Sequence, residues 1–83
     1  MELLQTIKFL NLDDGDIIAF NSNLYATMYT AAELKKYFSS SNIFVKEVII
    51  TTDWHDDSIS FYFRVSKDDE EKLREFKVSD YNV

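Results

Sequence analysis

Asp53-Trp54-His55-Asp56-Asp57 gathers three carboxylates and the chain's one histidine into five residues, the densest set of groups here that could hold a cation or move a proton. Oxygen donors suit a hard cation. Ca²⁺, however, takes about six to eight of them in an ordered loop of the D-x-D-x-D-G kind, and that spacing is absent. A histidine beside an aspartate can act as a catalytic dyad. Yet the chain has no cysteine and none of the nucleophile, glycine-rich phosphate or zinc motifs that would give such a dyad work to do. A domain of 83 residues also leaves little room for a deep pocket. The reading is therefore no catalytic residue, no metal and no cofactor. Aspartate bonds readily to its own backbone, so this segment, like Asp13-Asp14-Gly15-Asp16, is expected to be a turn.

Composition narrows the partners. Fifteen acidic residues against nine basic ones give a net charge of −6, which repels phosphate backbones and anionic membranes and argues against direct nucleic-acid or membrane binding. Hydrophobic residues make up 46% and aromatics 16%, too apolar for a disordered acidic tail. Without cysteine there is no disulfide framework. The N-terminal residues Met1-Glu2-Leu3-Leu4-Gln5-Thr6-Ile7-Lys8 also lack the basic start and continuous apolar run of a signal peptide, so the expected home is the reducing cytoplasm. No apolar run reaches the ~18–20 residues that span a bilayer. The whole chain, 1–83, reads as one domain.

The elements that must position these groups follow from periodicity. Leu3, Leu4, Ile7 and Leu10 share a helical stripe that excludes Phe9, predicting a first helix over 2–11, with Gly15 as the left-handed residue that ends it. Strand formers over 16–21 and 24–29 flank Asn21-Ser22-Asn23, a hairpin pattern. Thr30-Ala31-Ala32-Glu33 matches a capping box and starts a second helix that runs to about Ser39. Residues 43–52 are nearly all β-branched or aromatic. Residues 58–65 alternate, with Ile59, Phe61, Phe63 and Val65 inward and Tyr62 outward, which makes a second hairpin. Ser66 is placed to cap a last helix through Phe76. The fold class is α+β, order αββαββα: a four-stranded, mostly antiparallel sheet with helices packed on one face.

Thirteen aromatics exceed what one thin core layer holds. Tyr62 is read as exposed, and Tyr25 and Tyr29 join it if Leu24, Ala26 and Met28 face inward. Aromatic sheet faces serve single-stranded RNA, but they do so in basic surroundings that this chain lacks. Tyr25, Tyr29, Tyr62 and Trp54 are instead expected either to meet a protein partner or a second copy, or to brace the sheet as cross-strand pairs. The carboxylates of Asp56, Asp57, Asp68, Asp69, Glu70 and Glu71 form a second candidate surface. Presented like phosphates, they would steer the chain onto a basic nucleic-acid-binding enzyme. The competing account is a solvated helix start, where acids favour the positive end of the helix dipole. By analogy of size, acidity and missing active-site motifs, the expected function is a non-catalytic protein-binding module. Its most concrete form is a nucleic-acid-mimicking inhibitor of the kind phages and mobile elements encode against host enzymes. The alternative is a self-associating structural protein, a homodimer through its aromatic sheet face.

Overall fold

The computed structural model describes residues 1–21 and 27–81. Helix α1, Leu3–Phe9, is capped by Glu2, whose carboxylate accepts the Gln5 N–H at 3.3 Å. Leu3 and Ile7 are buried and Phe9 is exposed, as the stripe requires. The helix does not wait for Gly15 to end it. Asn11 takes the left-handed backbone (φ 55°) and no glycine has positive φ. The Asn11 N–H donates to Lys8 O at 3.0 Å and the Leu12 N–H to Ile7 O at 3.2 Å, the paired bonds of a Schellman ending. Asparagine tolerates this conformation, so the stop arrives four residues earlier than the glycine suggests. The Asp13–Asp16 turn serves the next helix instead. The carbonyls of Asp14 and Asp16 accept the N–H groups of Ala32 and Ala31 at 3.1 and 2.9 Å, satisfying donors that its free end leaves without partners.

Strand β1, Ile17–Phe20, leads toward β2, Met28–Thr30, which runs directly into α2, Ala31–Tyr37. The capping box forms as expected: Thr30 Oγ1 accepts the Glu33 N–H at 3.1 Å, and Glu33 Oε1 accepts the Thr30 N–H at 2.9 Å. Strands β3, Glu47–Asp53, and β4, Ser58–Arg64, form the long hairpin, and α3, Lys67–Tyr81, follows with Ser66 Oγ accepting the Asp69 N–H at 3.2 Å. The strand expected over 43–52 divides in two. Residues 43–45 pair with the start of the chain instead, through Leu3 N–H to Ile43 O at 2.9 Å and Val45 N–H to Met1 O at 2.8 Å. The sheet proper begins at Glu47.

Strand order is β2-β1-β4-β3. The two outer pairs are antiparallel and the central pair, β1 with β4, is parallel, so the sheet is mixed but mostly antiparallel. Register sorts the side chains. Ile18, Phe20, Tyr29, Phe63 and Val65 join Leu3, Ile7, Ala31, Leu34 and Leu73 in one core, with Val48 and Phe61 packed against it. All three helices therefore lie on one face. The core is aromatic at its centre, where Phe20 meets Tyr29 and Phe63 edge-on at 6.4 and 6.1 Å, and Tyr29 meets Phe38 at 5.4 Å.

Tyr29 is thus corrected from surface to core. It is 3% exposed and its hydroxyl donates to Leu73 O at 2.7 Å, while Met28 is 49% exposed. Over Met28 and Tyr29 the alternation runs one residue out of step with the expected one, the exchange of faces that a one-residue slip produces; Leu24, Tyr25 and Ala26 lie outside the described residues. Ile59 is a second correction. It lies on the helix side, yet is 56% exposed, because the β3–β4 hairpin runs past the edge of the helix layer.

Candidate protein-interaction surface

With the three helices on one side, the other side of the sheet is open among the described residues. Met28 pairs with Ala19, Ala19 with Tyr62, and Tyr62 with Ile49, so these four side chains form one row across all four strands. Ile17, 57% exposed, stands in the next row beside Thr30. Ile17, Ala19, Met28, Ser60 and Tyr62 line a common depression. Tyr62 is half-buried there among aliphatic neighbours. The row is apolar apart from the Tyr62 hydroxyl, and Thr30, Thr51, Ser60, Glu47 and Arg64 flank it on the same face, an apolar centre with a polar rim of the kind that suits burial against another protein.

A separate exposed apolar group stands at the hairpin tip. Ile50 and Ile59 are 51% and 56% exposed on the helix side of the sheet, and Trp54 is 84% exposed. Trp54 stacks on His55 with ring centroids 4.9 Å apart. The turn itself is built by aspartates: Asp57 takes positive φ (57°), and Asp56 Oδ1 accepts the Ser58 N–H at 3.0 Å. Hydrogen bonds from Ser58, its side chain first and its backbone second, hold the Asp56 carboxyl below its ordinary range. The turn expected over 53–57 forms over 54–57, with Asp53 the last residue of β3. Among the described residues, no three His, Cys, Asp or Glu groups are arranged to hold a metal ion.

The acidic candidates separate into two kinds. Asp69 Oδ2 accepts the Phe44 N–H at 3.3 Å, and its other oxygen lies 3.7 Å from Lys72 Nζ. Glu70 accepts from Asn21 Nδ2 at 2.6 Å and from Arg74 Nη2 at 2.7 Å. Asp69 thus ties α3 to the 43–45 segment, and Glu70 ties it to Asn21 at the end of β1. Asp68 and Glu71 are exposed and line a surface depression with Lys72 and Glu75. The hairpin tip and the α3 start sit at opposite ends of β4, a seven-residue strand that spans about 23 Å at ~3.3 Å per residue. β4 itself carries no carboxylate. The structure therefore brings Trp54, Asp56 and Asp57 together at one end and Asp68 and Glu71 at the other, with Tyr62 on the open face between. Tyr25 lies outside the described residues.

Two features escape a reading of the chain alone. Ile17, Met28 and Ile49 look like core residues by type, and only the packing of the helices on the other face leaves Ile17 and Met28 exposed and Ile49 half-buried. Asn21 looks like a turn residue, but its left-handed backbone (φ 61°) goes with a side chain that reaches the β4–α3 connection and α3: Oδ1 accepts the Val65 N–H at 3.0 Å while Nδ2 donates to Glu70. Comparison with known proteins finds no family model, no curated protein and no solved structure that matches this chain.

Proposed function

We propose that this chain is a non-catalytic protein-binding module that docks through its open sheet face and hairpin tip onto a partner with a basic surface. The observation that carries the reading is the row Met28–Ala19–Tyr62–Ile49 with exposed Ile17 beside it and Trp54 exposed at the hairpin tip, apolar groups that no described residue covers on a small domain. The net charge of −6 selects the partner by attraction and raises the encounter rate. Nucleic-acid-handling enzymes are the class that presents such basic surfaces, and covering one would inhibit it. On this reading the carboxylates steer and the apolar row binds, because the exposed acids are dispersed, Asp56 and Asp57 at one end of β4, Asp68 and Glu71 at the other, and Asp13, Asp14 and Glu47 in neither group.

The test is affinity capture from source-cell lysate at low and high salt, with the wild-type chain beside Tyr62→Ser, Trp54→Ala and the pair Asp68→Lys/Glu71→Lys. The expected result is one basic partner lost with Tyr62→Ser and bound more slowly, in a salt-dependent way, by the charge-reversed pair. Capture that survives both Tyr62→Ser and Trp54→Ala but fails with charge reversal would make the acids the binding surface. Recovery of the chain alone, as a salt-insensitive oligomer by light scattering, would establish self-association instead.

A further inference from the structure

We propose that the outer edge of β3 accepts an extended, basic segment of the protein partner as a fifth strand, an inference that rests on the protein-binding reading above. β3 closes one side of the sheet. In an antiparallel ladder every second residue turns its N–H and C=O away from its neighbour, so half of the backbone groups of this seven-residue strand face outward. Such an edge is normally blunted by proline, an inserted residue or a central lysine. The chain has no proline at all and no Lys or Arg anywhere from Glu47 to Phe63, and pairing with β4 is continuous, residue for residue, from Glu47–Arg64 to Asp53–Ser58. The opposite edge, β2, is only three residues long.

Charge identifies the occupant. From Glu47 to Phe63 the chain carries four carboxylates and no Lys or Arg. Glu47 lies 3.8 Å from Arg64, and the other three, Asp53, Asp56 and Asp57, fall within five residues at the hairpin turn. A second copy would bring that same charge, and its own net −6, against itself. A segment with Lys or Arg near the turn and alternating aliphatic residues satisfies both the backbone and the field. Its outward side chains would extend the open face past Ile49, joining strand addition to the docking surface already described.

The probe is a blocked peptide of alternating Lys and Val long enough to span β3, titrated into the ¹⁵N-labelled chain. The control is the same peptide N-methylated at alternate residues, which has equal charge but lacks the N–H donors. Strand addition predicts amide shift changes concentrated over residues 47–53, with slowed hydrogen exchange there, and at least about tenfold weaker binding of the methylated peptide, since several backbone bonds are lost together. Equal binding of the two peptides, shifts centred on Asp68 and Glu71, or no response overturns the proposal. Concentration-dependent shifts in β3 without peptide overturn it too, by assigning the edge to a second copy. A silent β3 in a chain whose Tyr62→Ser variant still loses its lysate partner removes strand addition alone. A responsive β3 in a chain that captures no partner removes the wider reading.

Discussion

Asn21 ties three elements together, and its removal can be worked through. Its backbone N–H donates to Phe63 O at 3.1 Å, Oδ1 accepts the Val65 N–H at 3.0 Å, and Nδ2 donates to Glu70 at 2.6 Å. Asn21→Gly keeps the left-handed backbone without steric strain and deletes only the two side-chain bonds. A bond to a charged group contributes ~1.5–3 kcal/mol and a neutral one ~0.5–1.5 kcal/mol. Both are part-buried, so water replaces some of the loss, and about 2 kcal/mol is expected. A domain of this size has about 4–12 kcal/mol in total, so the urea midpoint should fall by about 1–2 M at an m-value of ~1–2 kcal/mol/M. Far-UV circular dichroism is the appropriate signal, because Trp54 is already exposed in the native state. Glu70→Ala should be coupled to Asn21→Gly by about 1 kcal/mol in a double-mutant cycle, whereas exposed Asp68→Ala should change stability by less than ~0.5 kcal/mol. A loss below ~0.5 kcal/mol for Asn21→Gly, or zero coupling to Glu70, would refute the clamp and return Glu70 to the free acidic surface.

Tyr29→Phe should lower stability by about 1 kcal/mol, lost with the hydroxyl bond to Leu73 O, and shift the melting temperature by about 4–8 °C in calorimetry; an unchanged melting temperature would contradict its place in the core. Asn11→Val should cost at least ~1 kcal/mol, because a β-branched residue resists φ 55°, while Asn11→Gly should be close to neutral in the same assay. Asp56, whose folded carboxyl is held down by Ser58, should titrate below its ordinary value of 3.8 in carboxyl NMR. The unfolded chain then takes up the proton first, so the turn's contribution is complete above that value and lost as the pH falls through the folded one; in Ser58→Ala the depression should shrink. A carboxyl that titrates normally in the wild-type chain would remove this link.

The elements legible in the sequence are those whose signals are local. Thr30 and Glu33 sit three apart and form the capping box; Phe9 lies off the stripe of α1 and is exposed; Ser66 caps α3. What could not be read is set by contacts far along the chain. Tyr29 turns inward because Leu73, 44 residues away, accepts its hydroxyl, and a three-residue strand has too few alternations to fix its own phase. Residues 43–45 look like the start of β3 by composition, but they are claimed by Met1–Leu3. Asp69 and Glu70 are indistinguishable from Asp68 and Glu71 by type. Only the approach of Phe44 and Asn21 makes them structural.

The parallel pairing of β1 with β4 also divides the molecule along its middle. Residues 1–38 supply α1, β1, β2 and α2, and residues 43–81 supply β3, β4 and α3. Across the seam run the β1–β4 ladder, the pairing of Met1–Leu3 with Ile43–Val45, the Asn21 bonds and the Tyr29 hydroxyl. Neither portion can cover its apolar face alone, yet they are joined covalently only through Ser39-Ser40-Ser41-Asn42, of which Ser39, Ser40 and Asn42 are exposed. A protease nick there should leave a native-like complex of two fragments that co-elute and separate only in denaturant.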